Sequence, residues 1–134
     1  MIKIGAIFIP VTNMKQSIEF YTNKLNFTHV GTWPDGKGAD FYFYDEKEYV
    51  SLVKVEKKQP LEFTINEHVQ NSYYNFTTGN LSSYYEELKQ RGVKVSEIVD
   101  HGPVVGFDFY DADDNKLSVI VDKENFEGFY EEER

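Results

Sequence analysis

The chain carries two copies of one pattern, spaced by half its length. In the first copy, a buried strand over residues 7–9 leads through a turn to Asn13, and in the second an aromatic strand over residues 73–76 leads to Asn80. Each asparagine occupies a typical helix N-cap position, where its side-chain oxygen accepts from the free amides of the first turn. The two caps lie 67 residues apart (80 − 13), which is half of 134. A repeat at such a period indicates two similar modules.

Apolar spacing predicts the elements around each cap. Positions 14, 18, 21 and 25 are apolar at helical intervals, as are 81, 85 and 88, so helices are predicted over 13–25 and 80–91. Alternation and turn residues predict strands at about 3–10, 27–33, 40–44 and 49–55, and then at about 71–78, 93–95, 104–110 and 116–121. The 67-residue offset also carries residues 50–53 onto 117–120. Each half is therefore predicted as βαβββ.

We predict an α+β fold of two βαβββ modules in tandem, with mixed sheets that curve around a shared cleft. One helix covers only one face of a small sheet, so the two uncovered faces can enclose a ligand. The 134 residues fit a single domain over 1–134. We place the first module at about 1–56, a linker that can hold a short strand (61–65) at about 57–70, the second module at about 71–122, and an acidic tail or short helix at about 123–134.

Composition narrows the choice of partners. The net charge of −9 gives no basic stripe for phosphates, so nucleic acid is not an expected partner, whereas a cationic ligand would be attracted. Cysteine is absent, which removes disulfides, thiolate nucleophiles and cysteine zinc sites. The first ten residues resemble no leader, and no apolar run is long enough for a membrane span, so we expect a cytoplasmic protein and no membrane partner.

Three segments carry a family resemblance that covers nearly the whole chain. They are IPVTNMKQSIEFY at 9–21, NLSSYYEELKQRGV at 80–93, and FYDADDN at 109–115. In this order they resemble the vicinal oxygen chelate superfamily, which includes glyoxalases, bleomycin-resistance proteins and ring-cleaving dioxygenases. The third segment departs from the family's Phe-x-Asp-Pro-Asp-Gly-Asn turn, since Ala112 and Asp114 replace its proline and glycine.

The resemblance also assigns positions to metal ligands, and this chain has lost them. Metal-using members take ligands from the first and last strand of each half, positions that fall here on Ala6 and Ser51 and on Tyr73 and Ser118. A divalent transition metal prefers imidazole or carboxylate ligands, and none stands at these positions. The resemblance therefore implies the fold without the metal chemistry, and we predict no metal site and no cofactor.

Strand alternation extends these four positions into a candidate ligand site. Side chains in phase with them include Asn75, Lys116 and Ile120 in the second half, while Trp33 is a candidate lid. The expected pocket is mostly aromatic, with a few hydroxyls and an amide. The predicted ligand-binding residues are Phe8, Trp33, Tyr49, Ser51, Tyr73, Asn75, Phe107, Phe109 and Ser118. These aromatic side chains can instead fill the cleft as core.

The sequence leaves three functions open. The favoured one is a metal-free protein that sequesters an aromatic or cationic organic molecule in the intermodule cleft, and the resemblance implies a homodimer. The second is a metal-dependent lyase, isomerase or dioxygenase with a non-standard site, for which His101 is the candidate acid–base residue because histidine titrates near neutrality. The third is an interaction module without a small ligand.

Overall fold

The protein was analysed as a computed structural model, which describes residues 1–43 and 48–124. The first module contains β1 (Ala6–Val11), α1 (Met14–Glu19), β2 (Thr28–Thr32), β3 (Gly38–Tyr42) and β4 (Tyr49–Lys54). A hairpin follows, formed by β5 (Glu62–Asn66) and β6 (Val69–Ser72). The second module contains β7 (Asn75–Phe76), α2 (Leu81–Gln90), β8 (Val99–Asp100), β9 (Val104–Tyr110) and β10 (Lys116–Asp122). Most of the tail or short helix predicted at 123–134 lies outside the described residues.

The two modules have four-stranded mixed sheets of matching order. The first sheet runs β1-β4-β3-β2 and the second β7-β10-β9-β8, and in both the first strand lies parallel to the last. Phe8 pairs with Ser51 in the first sheet, and Asn75 pairs with Ser118 in the second. Asn75 follows Phe8 by 67 residues (75 − 8), and Ser118 follows Ser51 by the same number (118 − 51). The predicted α+β class with βαβββ modules is confirmed.

Both helices begin at the predicted caps. The Asn13 side chain accepts from the Gln16 amide and the Asn80 side chain from the Ser83 amide, each at 3.0 Å. The first helix continues beyond α1 as a π-helical turn over Phe20–Lys24. The second ends at Gly92, whose φ of +80° is a left-handed conformation that glycine adopts without steric cost.

The second half departs from the predicted strands at two places. The strand expected over 71–78 is divided, since residues 71–72 end β6 and residues 75–76 form β7. Between them the Tyr73 amide donates to the Leu61 carbonyl at the base of the hairpin. The strand expected over 93–95 is only a bridge between Val95 and Phe109, and the edge strand β8 comes later. The segment predicted as a linker at 57–70 contains β5 and the first two of the four residues of β6.

The two modules share one apolar core. Tyr21 is fully buried against Phe27 and Phe41, and the Phe27 ring lies 5.3 Å from that of Phe76 in the second module. Alternate residues of β1 and β10 (Ile9, Val11, Leu117, Val119) are buried in this core. The remaining side chains of each sheet therefore lie on an open face, away from the shared core.

A polar network also joins the modules on the buried side. Tyr21 donates its hydroxyl to the Asp111 carboxylate at 2.7 Å, and the Asn115 amide group donates to both Asp111 and the Pro10 carbonyl at 3.0 Å. Burial raises the pKa of Tyr21 well above its usual range. Burial also raises the pKa of Asp111, although the hydrogen bonds from Tyr21 and Asn115 oppose the shift.

In the described part of the chain, no helix is long and apolar enough to span a membrane.

Candidate functional site

The open face of each sheet carries a hydrogen-bonded serine–aspartate pair. Ser51 on β4 donates to Asp40 on β3 at 2.5 Å, and Ser118 on β10 donates to Asp108 on β9 at 2.7 Å. In both cases the two residues face each other across antiparallel strands. The serines occupy the positions that the resemblance assigns to metal ligands. The sequence prediction missed both aspartates, because their position opposite the serines depends on strand register.

A cavity of about 450 Å³ opens beside the second of these pairs. Its floor is the open face of the second sheet, where Asn75, Asp108 and Ser118 contribute polar groups. Gly106 lets β9 lie close to β10 in this floor, since a Cβ at Gly106 would lie 2.3 Å from the Val119 carbonyl oxygen. Apolar groups of Val99, Val104 and Ile120 also line this floor. Phe107 borders the cavity, but its side chain is buried in the shared core on the other face of β9.

The hairpin forms one wall of the same cavity. Gln70, Asn71 and Ser72 of this hairpin line the cavity. The Ser72 and Ser118 hydroxyl oxygens lie 2.9 Å apart. Because Ser118 donates its proton to Asp108, it accepts from Ser72, and the wall is hydrogen-bonded to the floor. Together these side chains surround the Ser118–Asp108 pair with amides and hydroxyls. The cavity is thus more polar than the aromatic pocket predicted from the sequence.

Charged side chains make the cavity suitable for a cation. Asp108 and Glu97 line the cavity, and so does the basic side chain of Lys116. The Lys116 ammonium lies 3.7 Å from Asp108 and 3.9 Å from Glu62 on the hairpin. Both distances exceed those of hydrogen-bonded ion pairs, which are about 2.7–2.9 Å. The lysine is therefore held only loosely between two carboxylates.

His101 reaches the cavity from the β8–β9 loop. Its amide donates to the Val104 carbonyl at 2.9 Å, and the Gly102 amide donates to Asp100 at 2.9 Å. Lys123 lies 2.7 Å from Asp100 and, through a hydrogen bond, lowers the pKa of that carboxyl. The loop carrying His101 is thus fixed at its start and its end.

The structure brings together only part of the predicted site. Asn75, Phe107 and Ser118 line the cavity with His101, and so do Lys116 and Ile120, which alternation had placed in phase with Ser118. The sequence prediction missed Asp108, Glu97 and the three hairpin residues. Their contribution depends on loop positions and on cross-strand neighbours, which periodicity does not reveal.

The other predicted residues lie elsewhere. Phe8, Tyr49 and Ser51 belong to β1 and β4 of the first sheet, and Phe8 is 56% exposed on its open face. Tyr73 is also exposed, with its ring 5.3 Å from that of Phe63 on the hairpin. Phe109 is 1% exposed and belongs to the shared core.

Trp33 lies against the first sheet. Its indole nitrogen donates to Asp40 at 3.3 Å. A Cβ added at Gly38 would lie 2.1 Å from the indole ring, so the ring packs directly on the Gly38 backbone. This places Trp33 at the Ser51–Asp40 pair, and it is not among the residues that line the cavity of the second sheet.

The four positions that the resemblance gives to metal ligands do not fit a metal here. Ala6 has no donor atom, and Ser51 and Ser118 direct their hydroxyl protons to aspartates. Over residues 1–43 and 48–124, no three His, Cys, Asp or Glu side chains group closely enough to hold a metal ion. The arrangement instead offers hydrogen-bond partners and a carboxylate to an organic molecule.

One family model matches most of the chain. The family model described as Glyoxalase/Bleomycin resistance protein/Dioxygenase superfamily matches residues 3–119. No curated protein is similar enough in sequence to match the chain.

Solved structures with similar folds cover most of the chain. An integron cassette protein from the mobile metagenome of the Halifax Harbour sewage outfall has 17% identity and a TM-score of 0.74, over 90% of this chain and 99% of its own. A superfamily member from Sphaerobacter thermophilus DSM 20745 has 17% identity and a TM-score of 0.71, over 90% and 97%. TnmS3, an antibiotic binding protein from Streptomyces sp. CB03234, has 14% identity and a TM-score of 0.72, over 92% and 98%.

Proposed function

Because this chain belongs to the Glyoxalase/Bleomycin resistance protein/Dioxygenase superfamily, we propose that it is a metal-free protein that binds and sequesters a small organic molecule. The observation that carries the proposal is the cavity beside Ser118 and Asp108. At the position that the resemblance assigns to a metal ligand stands Ser118, which donates its hydroxyl proton to Asp108. The cavity falls within the usual range for small-molecule sites, about 300–1,000 Å³.

The lining favours a ligand with a cationic group and an apolar or aromatic body. The Asp108 and Glu97 carboxylates attract a cation, and the net charge of −9 raises its local concentration. Val99, Val104 and Ile120 provide apolar contact for a flat ring. Amides of Gln70, Asn71 and Asn75 can fix its orientation through hydrogen bonds. TnmS3, which shares the fold, is described as an antibiotic binding protein, and this supports a small organic ligand.

We expect a screen of aromatic and cationic compounds, read by protein NMR chemical shifts, to yield a ligand that perturbs residues of the second sheet. Asp108→Asn should then weaken a cationic ligand by about tenfold or more, since hydrogen bonds to charged groups contribute about 1.5–3 kcal/mol. Asp35→Asn is the matched control, because the Asp35 carboxylate lies on an exposed loop outside the cavity, where it accepts a hydrogen bond from the Lys37 amide. A broad library with no binder would contradict the proposal.

A metal-dependent lyase, isomerase or dioxygenase is the second candidate, and the position of His101 in the cavity wall favours it. A histidine beside a bound molecule is suited to acid–base work near neutral pH. Elemental analysis of the purified protein separates the two candidates. Stoichiometric zinc, nickel, iron or manganese that only a chelator removes would favour the enzyme over the binding protein.

We also propose that the protein is a cytoplasmic homodimer. The support is the open face of the first sheet, which exposes Phe8 and Tyr42. Apolar side chains gathered on one face are typical of surfaces that another chain covers. Light scattering at micromolar concentration should give about twice the 15.7 kDa of one chain, and a mass near 15.7 kDa would contradict the dimer.

A further inference from the structure

Lys116 stands on the border of two cavities. It lines the candidate ligand cavity and also a neighbouring cavity of about 470 Å³. The neighbouring cavity is bounded by the segment 58–62 and by Tyr110, Asp114 and Asn115. Glu62 lines this second cavity and is absent from the residues that line the first. A lysine side chain, with its flexible four-carbon stem, can reach either side.

The ammonium of Lys116 has one carboxylate on each side. Asp108 lies 3.7 Å away in the ligand cavity, and Glu62 lies 3.9 Å away on the hairpin. The Lys116 side chain is only 19% exposed, so water screens these interactions less than at an open surface. Ser118 donates to the other Asp108 oxygen, which leaves the oxygen near Lys116 without a hydrogen bond from that serine.

We propose that Lys116 is a resident counter-ion of Asp108, which a cationic ligand displaces toward Glu62 when it binds. This inference rests on the proposed function and names the residue that sets its selectivity. Before binding, the lysine partly neutralises the carboxylate that would attract the ligand. After binding, the ligand's cation takes over Asp108, and the displaced ammonium keeps Glu62 as its partner in the neighbouring cavity.

Two consequences follow from the positions of these charges. A cationic ligand binds at a cost, because it must displace Lys116, and a neutral ligand of the same shape escapes that cost. Lys116 is thus a selectivity filter that admits only those cations that pair with Asp108 better than an ammonium does. A planar amidinium or guanidinium group meets this condition, because it donates two parallel hydrogen bonds to one carboxylate.

Benzamidine and benzamide form a matched probe pair, since the first is a planar cation at neutral pH and the second is its neutral counterpart. We expect Lys116→Met to bind benzamidine about five- to tenfold more tightly than the unmodified protein, the effect of removing one partly exposed competing charge. Its affinity for benzamide should change less than about twofold. NMR titration of both proteins measures both affinities, and equal unfolding midpoints show that the substitution has left the fold intact.

Lys94→Met is the matched control. Its ammonium lies 3.8 Å from Asp114, an ion pair of similar length, but its side chain is 69% exposed and outside the ligand cavity. It should leave benzamidine binding unchanged. Glu62→Gln should weaken benzamidine binding about two- to threefold, because the displaced lysine loses its second partner.

The inference is overturned if Lys116→Met binds benzamidine no more tightly than the unmodified protein, or if both benzamidine and benzamide gain equally. It is also overturned if benzamidine binds neither protein at millimolar concentration. The proposed function is tested separately by the wider compound screen. It therefore stands after any of these three results if another ligand binds in the cavity.

Discussion

Replacing Asp111 by alanine is expected to lower the free energy of unfolding by about 3–5 kcal/mol, because it removes the shared acceptor of several buried donors at once. Asp111 is buried and accepts four hydrogen bonds, which come from the Tyr21 hydroxyl, the Asn115 side chain and the amides of Asp113 and Asn115. Alanine leaves all four donors without this acceptor. Each unsatisfied buried donor costs about 1–3 kcal/mol, partly relieved where water can enter.

Asp111 is more than a local turn residue, because Tyr21 belongs to the first module and Asp111 to the second. The hydroxyl of Tyr21 reaches across the shared core to a carboxylate 90 positions away. Asn115 adds a second link through the Pro10 carbonyl. The network therefore joins the two modules, and its loss should reduce their cooperativity as well as their stability.

Urea unfolding followed by circular dichroism gives the free energy from the midpoint and slope. Tyr21→Phe is the dissecting variant, since it removes one donor and leaves the other three to Asp111. We expect it to cost about 1 kcal/mol, the net value of one hydrogen bond. If Asp111→Ala lowers the free energy of unfolding no more than Tyr21→Phe does, the other three hydrogen bonds to Asp111 do not stabilise the fold.

Phe109→Ala is expected to destabilise the protein by about 3–5 kcal/mol, as buried phenylalanine truncations do. Phe109 is 1% exposed, its ring lies 6.3 Å from that of Phe76, and both rings belong to the shared core. Truncation would leave a cavity that the paired strands β9 and β10 cannot readily close. Because a core residue acts through stability, ligand affinity at a temperature where the variant remains folded should change little.

Phe8→Ala is the matched control, since Phe8 has the same side chain and was predicted for the same ligand site. Phe8 is 56% exposed on β1 of a single chain. At protein concentrations low enough to keep the chain monomeric, its truncation should therefore change the free energy of unfolding by less than about 1 kcal/mol. Thermal and urea unfolding of the two variants compare them directly. Similar losses from both would contradict the assignment of Phe109 to the core and Phe8 to the open face.

Local chemistry made part of the architecture predictable. Asn13 and Asn80 cap helices because an asparagine before an apolar helical stripe satisfies the first free amides, whatever lies around it. The strand period of two placed Asn75, Lys116 and Ile120 with Ser118, and all four line the cavity. The turn that follows Phe109 was identified by its composition, although the role of Asp111 in joining the modules was not.

Other parts of the site depended on contacts that no local pattern encodes. Alternation shows that Phe107 and Phe109 share one face of β9, but it does not say which face is covered. The packing of α2 and β7 decided that, since Tyr85 lies 4.9 Å from Phe107 and Phe76 lies beside Phe109. Of the hairpin that forms a cavity wall, the sequence predicted a possible short strand at 61–65, which β5 overlaps. That the hairpin lies against the second sheet depends on tertiary contacts.

By itself, the sequence determined the duplicated βαβββ order and the two helix starts, because helix capping and strand alternation act within a few neighbours. Only the tertiary structure decided that Asp40 and Asp108 stand opposite the two serines, that Lys116 lies between Asp108 and Glu62, and that the cavity belongs to the second sheet and the hairpin. These juxtapositions depend on strand register and on which faces the shared core covers, and both are settled by the chain as a whole.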